Sequence, residues 1–84
     1  LEDDYMTNQE KYTNAYVEAF EITPEETAGL KYTGITAWDS IGHMNLVAII
    51  EETFEIEMDT DDIIDLSSFE KGMEILHEKY NVEF

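Results

Sequence analysis

Within the stretch TAWDSIGHMNL (residues 36–46), Asp39, Ser40 and His43 have side chains that could do chemistry. Ser40 and His43 are three residues apart, which puts an alcohol and an imidazole on one face of a helix. Ser–His–Asp hydrolysis needs the base within hydrogen-bond reach, a third group to orient it, an oxyanion hole and a pocket. The G-x-S-x-G elbow is missing, because Asp39 and Ile41 flank the serine. Hydrolysis is therefore set aside, and His43 is expected to be a solvated histidine. A second chemistry is suggested by DTDDIIDLSSFE (residues 59–70), which has the length of a calcium loop, with Asp at positions 1 and 3 and Glu at 12. Such a loop wants an oxygen ligand at position 5 and glycine at 6, where this chain has Ile63 and Ile64. No metal site is assigned. The third chemistry is attachment. A serine at a helix start lies beside free backbone N–H groups and the positive end of the helix dipole, which suit a phosphate. The same placement fits a plain helix cap, and the residues alone favour the cap.

These side chains must be positioned by helices. Tyr12, Ala15, Tyr16, Ala19 and Phe20 recur at i, i+3, i+4, i+7 and i+8, and Thr7 followed by Glu10 fits a capping box, so a helix is predicted over 7–20. Pro24, Gly29 and Gly34 break the pattern over 21–39. That stretch reads as a long loop, with a possible short turn at TPEE, pinned to the core by Leu30, Tyr32, Ile35 and Trp38. A second helix spans 40–54, capped by Asp39 or Ser40, with Leu46, Val47, Ile50 and Phe54 on a buried face. Ile41, Met44 and Ala48 form a separate stripe, either facing a partner or buried in a helix covered on two sides. A short third helix is expected over 60–64, capped by Asp59 or Thr60. A fourth is expected over 68–80, with Ser67 or Ser68 as cap and Phe69, Met73, Leu76 and Tyr80 as its core stripe. Gly72 is expected to weaken that helix by about 1 kcal/mol relative to Ala. No strand alternation persists. The fold class is all-α: a single domain over 1–84, built as a small four-helix bundle of three main helices and one short one.

Composition narrows the partners. Four basic against 21 acidic residues give a net charge of −17. Phosphate-backbone binding needs Lys and Arg, so nucleic acid is excluded, and an anionic membrane surface is disfavoured. Complementary charge favours a partner with a basic face. There is no cysteine, hence no disulfide or thiolate of the chain's own. No apolar run reaches the ~18 residues of a membrane span, and no signal peptide is visible, so the expected location is the cytoplasm. An 84-residue domain buries only about 60–65% of its unfolded surface, which leaves little room for a deep cleft. The sequence opens LEDDYM, so a fragment or a domain cut from a longer chain stays open, with Met6 as a candidate start.

The run WDSIGHMNLVAIIEETFEIEM resembles the acyl carrier protein signature, Asp-Ser-Leu followed by a Leu five residues later, here Asp39, Ser40, Ile41 and Leu46. The likeness continues without a gap through Phe54, Met58, Leu66 and Phe69 into the last helix, and the first helix and long loop fit in length. The resemblance implies a four-helix carrier with no catalysis of its own, acting as a monomer. It implies that a phosphopantetheinyl transferase moves 4′-phosphopantetheine from coenzyme A onto Ser40 and contacts Asp39. The arm's thiol would then carry acyl groups as thioesters.

The resemblance also makes the second helix the recognition surface for acyl-activating, acyltransferase or synthase enzymes with basic docking faces. On that reading Ile41, Met44 and Ala48 meet an apolar groove on the partner, and Glu51, Glu52, Asp61 and Asp62 face its Arg and Lys. Fatty-acid carriers usually bear acidic residues at the places of Gly42 and Asn45, which are neutral here. This points to a specialised pathway such as surface polysaccharide, lipid or polyketide synthesis. A peptidyl carrier loaded with an amino acid, and an unmodified acidic helical adaptor that only binds proteins, are the alternatives.

Overall fold

The computed structural model describes residues 6–84; the first five residues of the LEDDYM opening lie outside the described residues. Four α-helices follow in order: α1 (Asn8–Phe20), α2 (Ser40–Phe54), α3 (Thr60–Asp65) and α4 (Phe69–Tyr80), with a 3-10 turn at Pro24–Thr27. The chain is a small all-α bundle. Among the described residues no helix is long and apolar enough to cross a membrane.

Local signals set the helix ends. Thr7 Oγ1 accepts from the Glu10 N–H at 3.1 Å, and Glu10 Oε1 accepts from the Thr7 N–H at 2.8 Å, which closes the capping box ahead of α1. Ser68 caps α4 by accepting from the Lys71 N–H at 3.0 Å. Asp59 holds the cap position of α3 without a side-chain hydrogen bond. The helices α1, α2 and α4 each end on a left-handed residue: Glu21, Glu55 and Asn81.

Part of the core is an aromatic cluster. Tyr12, Tyr16 and Phe20 from α1 meet Trp38 from the loop and Phe69 from α4, with ring centroids 4.8–5.9 Å apart, largely edge to face. The Tyr12 hydroxyl donates to the Phe69 carbonyl at 2.7 Å. Its proton is thus committed, so Tyr16 must donate the 2.7 Å bond between the two hydroxyls. Burial pushes both phenols well above the ordinary tyrosine value, Tyr12 further through its coupling to Tyr16. From α2 the core takes Leu46, Val47 and Ile50, while Phe54 is only half-buried. From α4 it takes Phe69, Ile75 and Leu76; Met73 and Tyr80 of the expected stripe are half-buried, and Ile75 is the better-buried member.

The long loop is pinned as expected, by backbone as well as by side chains. Leu30 and Trp38 are buried and Ile35 is half-buried, but Tyr32 stays exposed. The Tyr32 N–H bonds the Ser67 carbonyl at 2.9 Å and the Phe69 N–H bonds the Leu30 carbonyl at 2.9 Å, so the loop runs briefly antiparallel to the entry of α4. Gly29 adopts φ 72°, which suits glycine. Its N–H donates to Glu70 Oε2 at 3.1 Å.

Two sequence expectations are corrected in α3 and α4. Asp62 is buried: Oδ1 pairs with Lys79 Nζ at 2.7 Å, and Oδ2 accepts from the Tyr80 hydroxyl at 2.6 Å. It fastens α3 to α4 and is not a docking charge. Gly72 is buried where a Cβ would overlap Tyr12 Oη and press on Leu66 Cδ1, so it is a packing requirement and not a weak point.

The Asp62 cluster makes an acid-linked prediction. Hydrogen bonds from Lys79 and Tyr80 hold this carboxyl below the usual aspartate value. The stabilisation is fully present above the unfolded value, near pH 4, and is lost as pH falls through the lower folded value. Asp62→Asn should therefore lower the urea midpoint at neutral pH, and the gap from wild type should close in acid. A gap that does not depend on pH would contradict the pairing.

Candidate functional site

The start of α2 is built by the residue before it. Asp39 adopts an extended conformation, and its Oδ1 accepts from the Gly42 N–H at 2.8 Å, so the cap is Asp39 and Ser40 is the first helical residue. The Asp39 carbonyl takes the His43 N–H at 2.7 Å. This leaves the Ser40 and Ile41 N–H groups without a protein partner among the described residues. Ser40 is exposed, and its hydroxyl makes no hydrogen bond to the described protein. Capping is thus taken by Asp39, not by Ser40.

Gly42 has a steric explanation. A Cβ there would run into the Ala37 carbonyl and lie 3.3 Å from Phe20 Cε1. The loop passes so close to the first turn of α2 that only glycine fits. The missing acidic side chain at this position is thus a condition of how this loop packs.

An open groove of about 360 Å³ runs from Ser40 between α2 and α3. Met44, Ile63, Ile64 and Leu66 give it apolar walls, and Tyr32, His43 and Ser67 complete its lining. Two of its apolar side chains are uncovered, Ile64 at 71% and Met44 at 54% exposed, and Ile41, next to Ser40 in the chain, is 80% exposed. Ala48 is exposed too, so the second stripe of α2 faces solvent and α2 is not buried on two sides.

Other expected site residues separate into distinct roles. Glu52 and Asp61 are exposed, as docking charges must be. Glu51 is half-buried, and its Oε2 accepts from the Met58 N–H at 2.9 Å, tying α2 to the connection before α3. Asp62, as above, is turned inward.

His43 corrects the expectation of a solvated histidine. It is half-buried and bridges two elements. Nδ1 accepts from Trp38 Nε1–H at 2.9 Å, and Nε2 lies 2.7 Å from the Ile63 carbonyl. An indole N–H can only donate and a carbonyl can only accept, so the imidazole is neutral, with its proton on Nε2. Its ring lies 13° from parallel with Trp38, the centroids 6.2 Å apart, as the N–H···N bond between two nearly coplanar rings requires. A base committed at both nitrogens cannot serve Ser40 as well. Of the calcium-loop-like stretch 59–70, residues 60–65 are helical and the last two residues open α4.

Ile64 belongs to the groove lining, and sequence reasoning did not place it there. The signal was present: a six-residue helix with two adjacent isoleucines cannot turn both inward, and here Ile63 is half-buried while Ile64 projects outward. No protein-family model, curated protein or solved structure matches the chain.

Proposed function

We propose that this chain is a carrier protein, modified on Ser40 with 4′-phosphopantetheine and carrying acyl groups as thioesters on the arm. The observation that carries the reading is an exposed serine hydroxyl, free of any structural duty, at a helix start that opens onto an apolar groove. In the loading step Ser40 Oγ attacks the phosphorus of coenzyme A that bears the pantetheine. A phosphodiester forms, the bond to the 3′,5′-adenosine bisphosphate breaks, and the serine proton passes to a base of the transferase. The unpartnered Ser40 and Ile41 N–H groups would be available to donate to the phosphodiester. With a net charge of −17 and Asp39 alongside, a free phosphate would be repelled, whereas a covalent tether needs no affinity of its own.

The exposed apolar side chains Ile41, Met44, Ala48 and Ile64 suit short-lived contact with partner enzymes, and Asp39, Glu52 and Asp61 suit basic residues on them. Many weak charge contacts favour fast association and release, which a shuttle needs. The steric origin of Gly42 fits a specialised pathway better than a role that requires an acidic residue there. Aminoacyl cargo would use the same arm. An adaptor that only binds proteins is the competing reading, favoured by the same exposed apolar side chains.

Incubation of the full chain with coenzyme A, Mg²⁺ and a broad-specificity phosphopantetheinyl transferase should raise its intact mass by one phosphopantetheine. No gain with several such transferases would leave the adaptor. A second expectation concerns the charges. Glu52→Lys with Asp61→Lys should slow loading by about tenfold at low salt, with the difference shrinking as salt is raised. Equal loading rates would place the recognition face elsewhere.

A further inference from the structure

His43 borders the Ser40 groove, yet the carrier reading gives it no task. We propose that His43 is a pH-sensitive positioning residue: its neutral ring clasps α3 to the loop ahead of Ser40, and a proton on Nδ1 opens the clasp and reshapes the groove. The inference rests on hydrogen-bond geometry and stands apart from whether Ser40 is modified.

Three elements meet at this ring. It sits on the first turn of α2, one turn after the capping Asp39. The loop offers the Trp38 indole N–H, and α3 offers the Ile63 carbonyl. Ile63 lies in the last turn of a six-residue helix, where carbonyls lack intrahelical partners, so His43 satisfies an acceptor that α3 cannot satisfy itself. Trp38 is fully buried and its N–H has one use, which is to donate.

An imidazolium has two N–H groups and no lone pair. Protonation would turn Nδ1 from acceptor to donor and set two donors against each other across 2.9 Å, one of them on a buried ring. Either the indole or the imidazole must then move. The imidazole also holds Ile63, and Ile63, Ile64 and His43 all line the groove, so its movement changes the groove beside Ser40. Histidine is the side chain that exchanges this proton near neutral pH.

The groups on the surrounding elements are consistent with a local switch. The Tyr32 ring stands edge to face with the His43 ring, centroids 5.5 Å apart, and Lys31 and Asp39 are the other titratable groups of this part of the loop. From α3 and its cap come Asp59, Asp61, Asp62 and Asp65; Asp62 is already bound to Lys79 and Tyr80 of α4. None of them makes a hydrogen bond to the ring, whose two nitrogens are taken by Trp38 and Ile63.

The chain has one tryptophan and two histidines, so the test can be read directly. NMR would follow the His43 ring, the Trp38 indole N–H and the methyl groups of Met44, Ile63 and Ile64 as pH is lowered from about 7.5 to about 5.5. In wild type all three sets are expected to shift with one shared midpoint. His77→Gln should leave that titration intact. His43→Gln, whose amide can both accept and donate, should keep the indole bonded and flatten the titration. The proposal is overturned if the indole and methyl shifts persist in His43→Gln. It is equally overturned if His43 titrates while they stay still, or if His43 does not titrate over this range. Should the variant fail to fold, the coincidence or separation of the wild-type midpoints decides the matter. A merely structural histidine would lower stability when replaced and produce no shared midpoint.

Discussion

Gly72→Ala is expected to destabilise the fold by about 3 kcal/mol, although alanine is the better helix former by about 1 kcal/mol. A Cβ at this point of α4 would overlap Tyr12 Oη and approach Leu66 Cδ1. Tyr12 has nowhere to retreat. Its hydroxyl is held by the Phe69 carbonyl and by Tyr16, and its ring is hemmed in by Tyr16, Phe69 and Phe84. Moving it gives up a buried hydrogen bond, worth about 1 kcal/mol, and breaks an edge-to-face contact. Overpacking of this kind costs about 1–3 kcal/mol and sometimes more. A small domain with a net charge of −17 has little stability in reserve, so the variant should be largely unfolded at low salt. Urea unfolding followed by circular dichroism measures the loss. Tyr12→Phe removes the oxygen in the way at the cost of the bond to Phe69 and of the acceptor for the Tyr16 hydroxyl. The two changes together should therefore be less harmful than their sum, as expected for residues in contact. If Gly72→Ala proves as stable as wild type, α1 and α4 do not approach as closely as described.

The same position shows where sequence reasoning stops. The Thr7–Glu10 box, the span of α2 over 40–54 and a serine cap ahead of α4, narrowed to Ser67 or Ser68, were legible because each is a contract between residues a few positions apart. Gly72 looked like a weak point because its reason, Tyr12, lies on another helix. Asp62 looked like a surface charge in an acidic run, and the lysine that claims it is 17 residues away. His43 looked solvated because the Ile63 carbonyl is invisible to any side-chain pattern. The C-terminal residues gave no periodic signal at all. Yet Val82 is buried and its N–H bonds the Leu76 carbonyl at 3.1 Å, while the Glu83 carbonyl accepts from Asn8 Nδ2 at 2.9 Å. Of the candidate site, the sequence reached Ser40, Asp39 and the stripe of Ile41, Met44 and Ala48. The groove itself, with Ile64 on its rim, depends on how α3 is set against α2, and tertiary hydrogen bonds decide that.

Ser40→Ala should abolish phosphopantetheine loading completely while leaving the fold untouched, and it is the second part that makes the test decisive. Were Ser40 the helix cap, its loss would cost about 1 kcal/mol, and fraying of α2 would be a second route to failed loading. Asp39 is the cap, through its 2.8 Å bond to the Gly42 N–H, and alanine is well suited to the first helical position that Ser40 occupies. Thermal unfolding of Ser40→Ala should thus overlay that of wild type. Asp39→Ala should melt lower, because it does lose the cap. The chain has two further serines. Ser68 is engaged as the cap of α4, but Ser67 is exposed and lines the same groove as Ser40. A mass gain that survives in Ser40→Ala and maps to Ser67 would move the attachment point across the groove. A gain lost in Ser40→Ala with an unchanged melting curve would leave the Ser40 oxygen as the acceptor, because that oxygen is all the substitution removes.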